Sequence, residues 1–284
     1  MDTALSVIIP AHNAARWIAE AIDSVHAQAL TPAPDIIVVT DRCSDDTAAL
    51  ALAAGARVID APAPGPAAAR NVGVAASRTP FIAFLDADDL WPPDSCAARL
   101  ALLDATPDAA LVFGDCLQFD DDGARHMHAQ TLFAQSSLDE GFFGDGTLVV
   151  RALDKLLDAD FVTTGTVIMR RTAFDALGGF DTSLRMVEDL DLWLRAATHF
   201  PLLWHPQTAL LRRRHGSNLS RDTRAMQLAY IDVLARLSAL PQARHLAKRI
   251  AALQRREHFS LARAAITGLK PLRAVRHLIR GWAA

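Results

Sequence analysis

Two acidic pairs hold the side chains of this chain that could do chemistry. Asp86-Ala87-Asp88 follows the apolar run Phe81–Leu85. Two carboxylates one residue apart at a strand end cannot both be buried unpaired, because that burial is very costly. With no basic residue near them in the sequence, the expected partner is a hard divalent cation, Mg²⁺ or Mn²⁺, held through carboxylates and substrate phosphates. A turn before Trp91-Pro92-Pro93 would read the same way. The second pair, Glu188-Asp189, opens a segment whose Leu190, Trp193 and Leu194 share one helical face. A carboxylate there can take a proton from a hydroxyl, or simply complement a helix dipole. His215 closes Arg212-Arg213-Arg214-His215. A neutral imidazole can complete a metal shell, and three arginines can hold a diphosphate; a solvated basic loop has the same composition. His126 and His128 have no third ligand and are read as surface residues.

The elements that must position these groups follow from the hydrophobic pattern. Leu5–Pro10, Ile36–Val39, Arg57–Ile59 and Phe81–Leu85 read as strands, mostly buried. Helices fall between them: one capped by Asn13 with Ile18, Ile22 and Val25 inward, one capped by Ser44 or Asp45 and running through Leu50 and Leu52, and one from Ala67 to Ala76. Four strands and three helices in about 85 residues require right-handed crossovers in a parallel sheet. Such sheets bind ligands beyond the carboxyl ends of their strands, where His12, Asn13, Asp41, Asp86 and Asp88 all stand. Further on, Leu111–Phe113, Cys116–Phe119 and Val162–Met169 read as strands, and Asp121-Asp122-Gly123 as a hairpin turn. Arg171–Leu177 and Glu188–Ala197 read as helices. From Thr223 the chain reads as helix, broken near Pro241 and at Gly268–Pro271.

Composition narrows the class. Of 284 residues, 51% are hydrophobic and 21% charged, enough for a substantial core. The three cysteines lack the spacing of a disulfide framework or a zinc site. The N-terminal residues do not form a secretory signal, and no apolar run approaches the ~18 residues of a membrane span. A cytoplasmic protein is expected, with membrane association at the inner face as a variant of it. Neither G-x-G-x-x-G nor G-x-x-x-x-G-K-[ST] is present. The formal net charge of -3 conceals a basic tail: residues 242–284 hold ten Lys or Arg against one acid, Glu257.

Six motifs now stand in order: Ser6–Asn13, Val38–Thr47, Gly65–Gly73, Phe81–Pro93, Gly178–Leu184 and Glu188–Arg195. In this order and spacing, residues 5–218 resemble the family-2 GT-A glycosyltransferases. The resemblance implies an α/β, Rossmann-like, doubly wound and mostly parallel sheet with a C-terminal helical extension. Residues 1–222 would be the GT-A domain (1–115 the nucleotide-sugar half, 116–222 the acceptor half) and 223–284 the basic extension. It implies inverting, metal-dependent transfer of a sugar from a nucleoside diphosphate, a UDP-sugar first of all, to a glycan or lipid-linked acceptor. Pro10, Ala11 and Asn13 would line the base and ribose, and Asp41 would accept from the base edge. Arg70 and Asn71 would lie near ribose and diphosphate, and Asp86 near ribose or sugar. Asp88 would be the metal ligand, with His215 completing the shell. Asp189 would be the catalytic base, beside Glu188. Trp91, Trp193 and Trp204 could stack on sugar rings or pack in the core.

Two departures qualify the resemblance. Thr40-Asp41-Arg42-Cys43 stands where the family usually has Asp-Asp-Gly-Ser, which leaves the donor base open. The Q-x-x-R-W motif of processive synthases is absent, so single, non-processive addition is expected. A nucleotidyltransferase would instead carry a Gly-rich basic loop after the first strand, where this chain has PAHNAAR. A catalytically degenerate sugar-nucleotide binder would not need Asp41, Asp88 and Asp189 together. In the tail, Leu272, Val275, Leu278, Ile279 and Trp282 form one helical face, with Arg273, Arg276, His277 and Arg280 mainly opposite. Segment 271–282 thus has the pattern of a peripheral membrane anchor, and equally that of a helix packed on the catalytic domain. Nucleic acid is not an expected partner.

Overall fold

The computed structural model describes residues 4–121, 125–144, 146–216, 223–267, 277 and 279–281. Four parallel strands form one half of the sheet: β1 (Leu5–Ala11), β2 (Asp35–Thr40), β3 (Arg57–Asp60) and β4 (Phe81–Phe84). They alternate with α1 (Ile18–His26), α2 (Thr47–Ala53) and α3 (Pro66–Ala76). After α4 (Ala97–Asp104) comes the second half: β5 (Leu111–Asp121), β6 (Arg125–Met127), β7 (Ile168–Arg170) and β8 (Leu202–Arg214). The order is β3-β2-β1-β4-β7-β5-β6, with β8 parallel to β5, and β6 and β7 running antiparallel to their neighbours. Between β6 and β7 lie the short helices α5 (Leu132–Ser136), α6 (Glu140–Phe143) and α7 (Ala152–Asp158). α8 (Arg171–Leu177) and α9 (Glu188–His199) precede β8, and α10 (Thr223–Ala239) and α11 (Ala247–Thr267) follow it.

Because successive strand residues point to opposite faces, the strands divide their apolar side chains between two cores. Ile8, Ile37, Val39, Ile82 and Phe84 face one, with α3, α8 and α9. Leu5, Val7, Ile9, Ile36, Val38 and Ala83 face the other, with α1 and Leu103 of α4. α3 lies so close to β1 that a Cβ on Gly73 would meet Ile8 Cγ2 at 2.4 Å. Val233, Leu234 and Leu237 of α10, with Ile250 of α11, join the first core. The start of the C-terminal extension is therefore packed onto the sheet assembly.

Several local expectations change. Asn13 does not cap α1. It has φ 50°, and its Oδ1 accepts from the Ser44 N–H at 2.8 Å, so its side chain ties two loops together instead. Neither Ser44 nor Asp45 is the cap of α2: the N-cap is Asp46, without a side-chain cap bond, and Asp45 one residue earlier accepts from the Thr47 N–H at 3.1 Å. Leu50 and Leu52 face outward, while Thr47 and Ala51 meet the core. Leu111–Phe113 and Cys116–Phe119 merge into β5, whose register with β8 shifts at Gly114/Asp115. Most of Val162–Met169 is not strand: Thr164–Thr166 is a 3₁₀ turn in which the Thr166 hydroxyl donates to the Thr163 carbonyl, the local bonding by which threonine competes with a ladder. β8, at 13 residues, replaces the expected basic loop.

Residues 122–124, where the hairpin turn was expected, and most of 271–282 lie outside the described residues, including Leu272, Val275, Leu278 and Trp282. Of the tail, His277 is buried against His258, with Nδ1 to Nδ1 at 3.4 Å, while Ile279 is 64% exposed. For these two residues the expected polar and apolar faces are exchanged, because the imidazoles pack on each other. Among the described residues no helix is long and apolar enough to cross a membrane.

Candidate active site

The candidate residues gather at the carboxyl ends of β1, β2 and β4. The loops after β1 and β2 are joined by backbone and side chain. The Asp41 N–H donates to the Ala11 carbonyl at 2.8 Å, and His12 Nδ1 lies 2.5 Å from the Asp41 carbonyl. Pro10 and Ala11 end the strand beneath them. The buried Asp41 carboxylate accepts from Arg42 Nε and from the Gly65 N–H, each at 2.8 Å. Burial pushes its pKa up, but Arg42 and the Gly65 N–H outweigh this and hold it below the usual carboxylate value. It remains an anionic acceptor at the carboxyl end of β2. Thr40 bonds elsewhere: its hydroxyl is 2.5 Å from Asp60 on β3.

Arg70 on α3 joins the two acidic pairs. Its Nη2 donates to Asp86 and its Nη1 to Glu188, both at 2.7 Å, and the side chain is 6% exposed. The sequence offered no basic partner near Asp86; the tertiary structure supplies one from 16 residues upstream. Burial lowers the pKa of Arg70, but the carboxylates of Asp86 and Glu188 outweigh this and raise it above the usual value. Burial, and then the charge of Asp189, raise the pKa of Glu188 against the pull of Arg70.

Asp189 stands in the first turn of α9, entered through Val187 at φ 54°. That left-handed backbone is unusual for a β-branched residue and turns Glu188 inward toward Arg70. Asp189 Oδ2 accepts from the Thr164 hydroxyl at 2.7 Å, which fixes the rotamer of the carboxylate. Nothing in the sequence marked Thr164 for this task, since Thr163-Thr164 reads as strand.

The remaining acids pair with β8. Asp88 Oδ2 lies 2.8 Å from His215 Nε2. The His215 ring stacks on Trp17 with centroids 4.4 Å apart and an interplanar angle of 24°. Trp17 therefore sets the plane of the imidazole, a role that its place before α1 did not announce. Burial and Asp86 push the Asp88 pKa up against this hydrogen bond. Among the described residues no three His, Cys, Asp or Glu side chains form a ready-made metal cage. A carboxylate and an imidazole that meet at one point nonetheless fit Mg²⁺ or Mn²⁺, ions that take further ligands from phosphates and water. Neighbouring Asp89 is buried and accepts from the Arg213 N–H at 2.8 Å.

The three arginines have separate positions. Arg213 is buried and paired with Glu20 and Asp121. Arg214 donates to Gln118. Arg212 points to the opposite side of β8 from Arg213, as alternation requires. Asn71 is also occupied: its amide donates to the Phe180 carbonyl at 2.8 Å and accepts from the Phe180 N–H at 3.0 Å. Through these two bonds it secures the loop after α8. Trp91, Trp193 and Trp204 are all buried, so they pack in the core and do not stack on sugars.

The parallel half-sheet, the antiparallel β7 and the acids at the strand ends define a GT-A fold. The glycosyl transferase family 2 model matches residues 6–178, and the chain belongs to that family. Among its relatives, the succinoglycan biosynthesis protein ExoU of Rhizobium meliloti is 33% identical over 68% of this chain and 57% of its own length. The amylovoran biosynthesis glycosyltransferase AmsB of Erwinia amylovora is 26% identical over 69% and 64%. The chain thus spans less than two thirds of the length of these relatives. S. aureus TarS 1-349 in complex with UDP-GlcNAc superimposes with a TM-score of 0.70 at 18% identity, over 98% of this chain and 79% of that one. The mannosyltransferase PcManGT of Pyrobaculum calidifontis, in complex with GDP-Man and Mn²⁺, gives 0.65 at 17% identity, over 100% and 76%.

Proposed function

We propose that the chain is an inverting, metal-dependent, non-processive glycosyltransferase, using a nucleoside-diphosphate sugar in bacterial glycan or glycolipid assembly. The observation that carries this reading is the pair of hydrogen bonds from Arg70 to Asp86 and Glu188. Through them Asp88, two residues from Asp86, and Asp189, next to Glu188, come to one site.

Asp41 accepts from the donor base, with Pro10, Ala11 and Asn13 lining the base and ribose. Asp86 and Arg70 face the ribose and sugar, and Asn71 holds the wall behind them. Asp88 and His215 would hold Mg²⁺ or Mn²⁺, which would supply positive charge against the diphosphate leaving group. Asp189 takes the proton of the acceptor hydroxyl. The acceptor oxygen bonds to the anomeric carbon from the face opposite the diphosphate, whose bond to that carbon breaks and whose oxygen keeps the electron pair. One displacement inverts the centre. The parts of ExoU in succinoglycan biosynthesis and AmsB in amylovoran biosynthesis support a glycan or lipid-linked acceptor. The complexes of TarS and PcManGT support UDP-GlcNAc and GDP-Man as the first donors to try.

A thermal-shift screen of nucleoside-diphosphate sugars with Mn²⁺ tests the reading, because a donor stabilises the fold by mass action. A donor at 100 times its Kd should add about 2.7 kcal/mol. No stabilisation by any nucleotide sugar, with or without Mn²⁺, overturns it. Stabilisation without release of nucleoside diphosphate would mark a degenerate binder.

A further inference from the structure

Trp91 stands three residues after Asp88, on the segment that carries the acids out of β4, yet it takes no part in the chemistry above. Its side chain is buried, and the indole Nε1 donates to the Gly165 carbonyl at 2.8 Å. Gly165 is the middle residue of the 3₁₀ turn Thr164–Thr166. The residue before it, Thr164, donates its hydroxyl to Asp189 at 2.7 Å. Two hydrogen bonds to adjacent residues therefore join the segment of Asp88 to Asp189, across sequence gaps of 74 and 25 residues.

The turn is held from both sides. Arg99 of α4, fully buried, donates its Nη1 to the Thr166 carbonyl and its Nε to the Ser95 carbonyl, the latter at 2.9 Å. Its guanidinium carbon lies 5.8 Å from the centroid of the Trp91 ring, so one side chain holds the turn and rests on the indole. Among the described residues Arg99 has no carboxylate partner, and burial brings its pKa down to about 10. A cation buried among carbonyls alone is a costly way to fill a core; what it secures here is the Thr166 carbonyl. Opposite, a Cβ on Gly165 would meet the Leu210 side chain at 2.8 Å, so the turn lies hard against β8. The Trp91 segment is tied to the same strand. The Leu90 N–H donates to the Leu211 carbonyl at 3.1 Å, and the Leu211 N–H donates back at 2.8 Å.

Resting on the assignment of Asp189 as base, we infer that Trp91 is a positioning residue for that base. The indole fixes Gly165, the peptide of Gly165 fixes Thr164, and the Thr164 hydroxyl sets the direction of the Asp189 carboxylate. A displacement of about 1 Å in such a group can cost on the order of 10²-fold in rate. The segment that presents Asp88 thereby also aligns Asp189.

Trp91→Phe keeps a ring in the core and removes the indole N–H. Thr164→Val removes the hydroxyl, and Thr164→Ser keeps it. Turnover is read as nucleoside diphosphate released from UDP-GlcNAc or GDP-Man, whichever stabilises the chain, with Mn²⁺ and with water as acceptor. The kcat should fall roughly tenfold in Trp91→Phe and in Thr164→Val, at unchanged donor KM, and should recover in Thr164→Ser. The two losses should not add in the double variant, and Trp91→Phe should change nothing further in Asp189→Asn. Trp204→Phe is the control. Its buried indole also donates to a carbonyl, that of Gly146, at 2.8 Å, so it should lose comparable stability in urea unfolding with kcat intact. Full kcat in Trp91→Phe, an equal fall in Trp204→Phe, or a rise in donor KM that accounts for the whole loss overturns the positioning role and leaves the base assignment standing. Normal turnover by Asp189→Asn overturns the base assignment itself.

Discussion

Arg70 and Glu188 are 118 residues apart in sequence, yet the Arg70 guanidinium donates to the Glu188 carboxylate at 2.7 Å in a buried contact. The same guanidinium donates to Asp86, so one side chain joins the end of β4 to the start of α9. Removing it strands a buried carboxylate. Arg70→Ala should cost roughly 3–5 kcal/mol of stability in urea unfolding. Arg70→Lys keeps the charge but cannot reproduce the two-pronged contact, and should lose turnover by a larger factor than it loses stability.

Asp189→Asn keeps the side-chain shape and removes the proton acceptor. Turnover should fall by a factor of roughly 10²–10⁴, while donor affinity, measured by calorimetry, should hardly move. Near-normal turnover would point to Glu188 instead.

Asp88→Ala should abolish the Mn²⁺-dependent part of donor binding. His215→Ala should weaken it, and Trp17→Ala should weaken it less, because the indole only orients the imidazole through their stacked contact. Titrations with Mn²⁺ and with EDTA check all three, and equal affinity under both conditions in the wild type would remove the metal from the account.

Asn71→Ala should act on stability more than on donor affinity. The lost pair of hydrogen bonds to the Phe180 backbone should cost about 1–3 kcal/mol. A large fall in donor affinity with stability intact would show that Asn71 reaches the ligand after all.

Asp121 gives the acid sensitivity a definite sign. Its hydrogen bond from Arg213, against some burial, holds the Asp121 pKa below the usual value. A carboxylate lowered on folding contributes stability that is present above the unfolded value of ~3.9 and lost as pH falls through the folded one. Asp121→Asn should therefore destabilise at pH 7, and its difference from wild type should shrink below about pH 4. A difference constant from pH 7 to pH 2 would deny the pairing.

The tail is tested by co-sedimentation with anionic and neutral vesicles, comparing the full chain with one ending near Leu269. If segment 271–282 anchors the protein, only the full chain should bind, and only the anionic vesicles, at about 1 kcal/mol per basic residue. Equal and negligible binding by both chains would make the segment structural.

The amino-acid sequence by itself determined the half-sheet and the places where acids leave it. Leu5–Pro10, Ile36–Val39 and Phe81–Leu85 are short apolar runs whose period and punctuation are local properties, and each became a strand at those positions. Asp41, Asp86 and Asp88 followed as strand-end residues for the same reason. What only the tertiary structure decided was which charges meet. Asp86 looked unpaired because its partner, Arg70, lies on a helix that crosses back over the sheet. Three adjacent arginines looked equivalent because a loop and a strand share that composition; pairing of β8 with β5 buried Arg213 against Asp121 and sent Arg212 to the other side. Thr164 and Trp17 gave no signal, since a threonine in an apolar run and a tryptophan at a helix start are ordinary. Their contacts with Asp189 and His215 exist because the sheet brings together segments 25 and 198 residues apart. Local periodicity specifies elements, but complementary charges and rings find each other only after those elements have packed.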